Sequence, residues 1–241
     1  MLKIRNLSKI YYKGLFCKKP VFSLNGISFD VKHNEIFGII GKNGSGKTTI
    51  AKILLKLIKP DYGTIFFNNH NLLELKGEKL RGFRSKIQGI SQNYETALNP
   101  RMKIKESLKE VFLATGRKAF NEITDNKLEA MLNEVGLGQE HLNRFPAQLS
   151  GGQLQRINIA RAIALRPELI IADEPTSNLD VSVQAQIIHL MLKIKKKTGM
   201  SFIFISHDHT LISLICDRVA IFDAGRIIEI KSMRNTKKTE Y

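Results

Sequence analysis

A chain of 241 residues, 43% hydrophobic and 25% charged, has the composition of a soluble protein and can bury the core of one large α/β domain or two small ones. No apolar run approaches the roughly 18 residues that span a bilayer, and Met1-Leu2-Lys3-Ile4-Arg5-Asn6 has no signal-peptide core, so a cytosolic protein that meets a membrane only through a partner is expected. The net charge of +16 is spread along the chain, with clusters only at Lys193–Lys197 and Lys237-Lys238 and no interleaved aromatics; it reads as solvated faces plus attraction to a membrane surface, with no nucleic acid expected.

Residues 1–40 alternate as strands do, through Leu2 and Ile4 and then Leu24, Ile27, Phe29 and Val31, with Gly14 and Pro20 marking a loop between. An antiparallel sheet is expected here. Tyr11 and Tyr12 end its first strand; an aromatic there is either a stacking face for a nucleotide base or a packing residue. Cys17 and Cys216 lack CxxC and zinc-ligand spacing and read as indifferent thiols.

Next, Glu35 to Ile40 reads as a short apolar strand and Thr49 to Ile58 as a helix stopped by Lys59-Pro60. Between them, Gly41-Lys42-Asn43-Gly44-Ser45-Gly46-Lys47-Thr48 fits G-x-x-x-x-G-K-[ST], and the strand–loop–helix context is the one this motif requires. Glycines let backbone amides wrap a phosphate at the positive end of a helix. Lys47 is expected to reach the β/γ-phosphates and the Thr48 hydroxyl to ligate Mg²⁺. A turn at Asp61-Tyr62-Gly63 leads into a strand, Thr64 to Phe67, and His70 lies in a polar tip as a surface residue.

From about Leu72 to Phe145 the periods become helical, as at Ile104 to Leu113 and at Leu128 to Val135, the latter ended by Gly136. Gln92 to Pro100 is too polar and turn-prone for either element. Ser150 then reads as the N-cap of a helix running to about Leu165, with Gly151 and Gly152 leaving its first amides bare, a second anion site far from the first. Leu169 to Ala172 is an apolar strand ending in Asp173-Glu174, where ligands bind in open α/β sheets. Asp173 is expected to hold Mg²⁺ and Glu174 to polarise a water. An amphipathic helix, Val181 to Thr198, closes at Gly199; Ser201 to Ile205 is another buried strand, and His207 follows it in the same row of strand ends. A hairpin, Val219–Phe222 with Ile227–Ile230, precedes a short basic tail.

Together these residues resemble the ATP-binding subunit of an ABC transporter across essentially the whole chain. A P-loop alone is common to many NTPases; Ser150-Gly151-Gly152-Gln153 followed by Asp173-Glu174 and His207 is specific to the ABC class. The resemblance implies an α/β fold: a P-loop, RecA-like core with an antiparallel β subdomain (about 1–90 and 161–230 together), an inserted α-helical subdomain carrying the signature motif (about 91–160), and a basic tail at 231–241. It implies ATP and Mg²⁺ as cofactors and an ATPase activity coupled to transport. Gly41, Asn43, Gly44, Ser45, Gly46, Lys47, Thr48 and Thr49 would hold phosphates. Tyr11 would be the base-stacking A-loop aromatic, Gln92 the Q-loop residue joining Thr48 and Asp173 at Mg²⁺, and Asp180 part of the D-loop with Ser177, Asn178 and Leu179. Glu174 would be the general base, with His207 contacting the γ-phosphate. Ser150, Gly151, Gly152 and Gln153 would close the nucleotide of a second cassette packed head to tail.

Gly14-Leu15-Phe16, Ser91-Gln92 leading to Leu98-Asn99-Pro100-Arg101, and Val181-Ser182-Val183-Gln184-Ala185-Gln186 resemble the oligopeptide/dipeptide/nickel importer ATPases. Gln153-Leu154-Gln155-Arg156, Ser177 to Asp180 and the short run after the last hairpin lean towards nickel or a metal chelate. Val181 to Gln186 leans towards peptides as the alternative. Permease subunits, a sister ATPase or a second copy of the chain, and an extracytoplasmic substrate-binding protein acting indirectly are the implied partners, at the cytoplasmic face of the membrane. A non-transport ABC ATPase on the ribosome or DNA is the rival class; it typically carries two cassettes or a long coiled coil, and this chain has one cassette without sustained heptads. A regulatory binder without turnover is a third class, which intact Glu174 and His207 argue against.

Overall fold

The computed structural model describes residues 1–13, 19–113 and 123–233. Gly14-Leu15-Phe16, Cys17, Lys237-Lys238 and nearly all of the expected 231–241 tail lie outside them. The chain divides into two compact units, residues 1–75 with those from 201 onward, and residues 76–200.

In the first unit, Leu2–Lys13 (β1) pairs antiparallel with both Lys19–Val31 (β2) and Tyr62–Phe67 (β4), and His70–Asn71 (β5) pairs with β4. Alternation selects the face: Leu2, Ile4, Leu24, Ile27, Phe29, Ile65 and Phe67 are buried. Ile36–Gly41 (β3) is buried through Ile40 and pairs in parallel with Ser201–Ser206 (β8) and Arg218–Asp223 (β9), β9 turning back antiparallel into Arg226–Ser232 (β10). Strands buried on both faces read as continuous apolar runs, and β3 and β8 do. The Phe29 and Phe37 rings stack at 5.0 Å, tying β2 to β3. Arg218 on β9 bonds Glu35 at 2.6 Å and the Asp30 carbonyl at 2.7 Å, and the Glu35 carboxylate holds its guanidinium further above its ordinary range.

The helix after the P-loop, Lys47–Leu54 (α1), is shorter than expected. Proline does not end it. Lys56 takes a left-handed φ of 57°, Leu57 N bonds the Lys52 carbonyl at 2.9 Å and Lys56 N the Ile53 carbonyl at 2.9 Å, which is a Schellman motif with lysine in the usual glycine position. The Lys56 ammonium bonds the Leu72 carbonyl at 2.7 Å, which helps hold that conformation. His209–Ile215 (α7), capped by Asp208, was not evident in the sequence.

In the second unit, Gly77–Lys86 (α2) leads into Ile87–Ile90 (β6), which pairs in parallel with Leu169–Asp173 (β7). α2 falls within the stretch expected to be helical but was not singled out there, since it buries only Phe83; β6 was not expected, being four residues long and existing through its pairing. Ile104–Leu113 (α3) and Asp125–Glu134 (α4) pack on Gly151–Ile163 (α5), which also meets Val181–Thr198 (α6) and β6. α5 buries Leu154, Gln155, Ile157, Asn158, Ile159, Ala160, Ala162 and Ile163, covering every side of it, as a helix at the centre of a unit must. Gly199 ends α6 at φ 70° behind three lysines that favour its negative end.

Candidate functional site

The P-loop lies in the first unit, at the C-terminal end of β3. Gly46, the N-cap of α1, has φ 104°, and a Cβ there would stand 2.3 Å from the Ser23 carbonyl oxygen, so glycine is required. No side chain caps this helix; Ile50 N bonds back to the Gly46 carbonyl at 3.1 Å, and Ser45 N closes the loop onto the Lys42 carbonyl at 3.2 Å. Ser45 Oγ is buried with no hydrogen-bond partner among the described residues, and Thr48 is exposed. Thr49 differs from its expected role in one respect: its hydroxyl is 2.7 Å from Ser23 Oγ, so its side chain fastens α1 to β2.

Lys47 also differs. Expected to reach out to the β/γ-phosphates, it is instead 5% exposed, and its ammonium donates to the carbonyls of Gly41 at 2.7 Å and Lys42 at 3.0 Å. The loop curls around it because an ammonium carries three donors and these carbonyls converge on it. Lys47 is thus part of the loop's own framework before any phosphate arrives.

His207 is exposed just after β8, whose register (Ile40 opposite Ser206) brings its end level with the end of β3. Tyr11, 45% exposed, stands opposite Val21, two residues before the Ser23 that touches the P-loop. The Lys9 ammonium lies 5.6 Å from the Tyr11 ring centroid and bonds Asp61, whose other oxygen accepts from Ile10 N at 2.6 Å. That backbone bond, helped by Lys9, lowers the Asp61 carboxyl from its ordinary value. Tyr12 follows at 65% exposure.

The second unit gathers the other candidates. The β6–β7 register sets Ile90 opposite Ala172, so Gln92 leaves one strand end and Asp173-Glu174 the other. Glu174 has φ 46°, a conformation rare outside glycine and asparagine that marks a constrained turn. Ser150 is the N-cap expected of it: its hydroxyl accepts from Gln153 N at 3.3 Å, and the Gln153 side chain accepts from Ser150 N at 3.0 Å. Gly151 leaves no room for a side chain, since a Cβ would meet Tyr94 Oη at 2.8 Å.

Four residues whose roles were unforeseen in the sequence bind these segments together. Tyr94 is buried, donates to the Asn178 carbonyl at 3.2 Å, and burial raises its phenol so that it stays a donor. Asn158 donates to the Tyr94 carbonyl at 3.2 Å, and Arg161 to the Ala97 carbonyl at 2.6 Å, both from α5. Gln155, also on α5, donates to the Pro175 carbonyl. The loop after Gln92, the signature turn and the D-loop, where Asp180 immediately precedes α6, therefore share one helix as their support. Only the loop position of Tyr94 was visible beforehand.

A glycine-capped bare helix end, a lysine in the loop beneath it and carboxylates at a parallel strand end define a nucleotide-phosphate-binding α/β protein of the P-loop class. A family model described as ABC transporter matches residues 24–177, and the chain belongs to that family. The oligopeptide transport ATP-binding protein OppF of Streptococcus mutans is 41% identical over 95% of this chain and 74% of its own length. The dipeptide transport ATP-binding protein DppF of Lactococcus lactis is 40% identical over 95% and 74%. A solved structure of the ATP-binding cassette MJ0796, a dimer in a post-hydrolysis state bound to ADP and Pi, matches with a TM-score of 0.83 and 27% identity over 98% of this chain and all of that one. The protein is therefore an ATP-binding and ATP-hydrolysing cassette of the P-loop fold. Both relatives are named for peptides, so the lean towards nickel or a metal chelate gains no support and the peptide alternative is the better supported. No helix among the described residues is long and apolar enough to cross a membrane.

Proposed function

We propose that this chain is the ATPase subunit of an oligopeptide or dipeptide importer, docked peripherally on permease subunits at the cytoplasmic face of the membrane. About 40% identity across nearly the whole chain to peptide-transport ATP-binding proteins carries that reading. An extracytoplasmic binding protein delivers the peptide, and this subunit supplies the free energy of ATP hydrolysis. In domain terms, one cassette fills the chain, with about 91–160 as the helical part bearing the signature motif and the remainder as β subdomain plus core.

Tyr11 stacks on the adenine ring. The loop from 41 to 49 takes the phosphates through backbone amides, the Ser45 hydroxyl and Lys47, Lys47 sharing its donors between them and the loop carbonyls. Thr48, Asp173 and Gln92 would hold Mg²⁺ through oxygen atoms, the donors that suit it and not a softer metal, and the ion would offset charge on the phosphate oxygens. Each chain presents one phosphate loop and one bare signature turn, so two cassettes, a sister subunit or a second copy, pack head to tail and each signature turn (Ser150 to Gln153) closes the other's nucleotide. Asp180 lies beside that junction. Glu174 then accepts the proton of the attacking water, and His207 contacts the γ-phosphate. Closure with ATP and reopening after hydrolysis form the two-state element that the permease follows. A vesicle-reconstituted complex of this chain with its co-purifying permease subunits tests the substrate: peptide-loaded binding protein should raise ATP turnover and peptide uptake together, whereas stimulation by nickel-loaded binding protein alone would refute the peptide reading.

A further inference from the structure

The signature turn has a support that no motif describes. His141 lies in the short helical turn 139–141 of the second unit and is 6% exposed. Its Nδ1 faces two acceptors, the Gly138 carbonyl at 3.0 Å and Glu140 Oε1 at 3.1 Å. Its Nε2 is 3.3 Å from Gln153 Nε2. The orientation of the Gln153 amide is not arbitrary, because Ser150 N–H needs an acceptor and finds Gln153 Oε1 at 3.0 Å. The amide therefore turns its NH₂ towards His141, and a nitrogen facing an NH₂ group must accept. Nε2 thus carries no proton and Nδ1 carries it, with Gly138 and Glu140 as its acceptors.

We propose that His141 is a positioning residue for ATP turnover: as the neutral Nδ1–H imidazole it accepts from Gln153 and locks the capping box that aims the Gly151 and Gly152 amides at the opposing cassette's nucleotide. With His141 in place both ends of the Gln153 amide are engaged, one on Ser150 and one on the imidazole. Without it the Gln153 side chain can rotate, Ser150 N–H loses its acceptor, and the first turn of α5 frays at the point where the two cassettes meet. The inference rests on the head-to-tail pairing proposed above.

Three proteins in a Glu174→Gln background, which keeps ATP uncleaved, separate the possibilities: the parent sequence, His141→Leu and His141→Gln. A glutamine amide oxygen can stand where Nε2 stands and accept from Gln153, while leucine cannot. Binding of a fluorescent ATP analogue to the single chain should be equal in all three, since the P-loop is untouched. The ATP concentration for half-dimerisation should rise roughly tenfold in His141→Leu, the effect of a lost helix cap, and return to within about threefold of the parent in His141→Gln. Nitrogen-15 NMR of the parent should show the Nδ1–H tautomer at His141. Dimerisation of a folded His141→Leu protein at the parent's ATP concentration would overturn the proposal. So would an Nε2–H tautomer or an imidazolium at neutral pH, a result that decides the matter even if the leucine variant fails to fold. If the parent Glu174→Gln protein never dimerises, the pairing itself fails, and the tautomer separately judges the bond to Gln153.

Discussion

Replacing Lys47 by alanine should destabilise the protein before any nucleotide is added. The change removes hydrogen bonds of 2.7 and 3.0 Å to the Gly41 and Lys42 carbonyls and empties space around a side chain that is 5% exposed. A hydrogen bond to a charged group contributes about 1.5–3 kcal/mol. Gly41 is only half-buried and Lys42 exposed, however, so both carbonyls regain water. The truncation also returns the desolvation cost of the buried ammonium. The net loss is then about 1–2 kcal/mol, or a fall of roughly 2–8 °C in melting temperature for a chain of this size. Lys47→Met keeps the aliphatic stem and should fall less, which isolates the hydrogen bonds from the packing. Scanning fluorimetry with and without ATP reads both effects at once: the parent should gain stability on ATP addition, and neither variant should. A nucleotide-free Lys47→Ala protein melting within about 1 °C of the parent would refute the structural role of Lys47, and an undiminished shift with ATP would refute its phosphate role.

Tyr11→Ala should weaken ATP and GTP by similar factors, worth roughly 1–3 kcal/mol of stacking; competition titrations that instead single out Tyr12→Ala would move the stacking face by one residue. Gly46→Ala should abolish nucleotide binding and lower stability by about 1–3 kcal/mol, the cost of holding a side chain at a left-handed φ, with calorimetry as the check; a fully stable variant would show that the loop can relax around a Cβ. Burial pushes the Cys216 thiol well above its ordinary range, and the thiolate is the form that alkylates. Iodoacetamide at mildly alkaline pH should therefore label the Cys216 peptide only after urea unfolding, and rapid labelling of the native protein would show that β3 and α7 open readily.

Phosphate chemistry was the most legible part of the chain, because a G-x-x-x-x-G-K-[ST] run needs its residues at fixed spacing and carries its own context. The long periodic elements were equally readable: α3 falls on Ile104–Leu113 and α6 stops at Gly199. Short elements that exist through pairing, such as β6, leave no period to read. The end of α1 was misread because proline is a conspicuous stop, whereas a lysine at φ 57° in a Schellman turn is invisible in one dimension. The supports of the site were hidden for the same reason. Tyr94, Asn158, Arg161 and His141 act on backbone or side-chain groups that only folding brings near them, and none belongs to a spacing pattern. Lys47 was placed correctly in the loop, but its burial depends on two carbonyls whose directions no motif records.

The proposed mechanism holds ATP between two cassettes until Glu174, acting as base, lets hydrolysis release them. Glu174→Gln keeps the shape of the side chain and removes the proton acceptor, so ATP should bind and persist. A ligand that binds only the paired state stabilises it by about 3 kcal/mol at a hundredfold excess over its dissociation constant. Size exclusion of the purified variant should therefore give a dimer in ATP without Mg²⁺ and a monomer in ADP, either alone or once mixed with a sister subunit. A variant that stays monomeric in ATP in both settings, or one that hydrolyses ATP at the parent's rate, would contradict it.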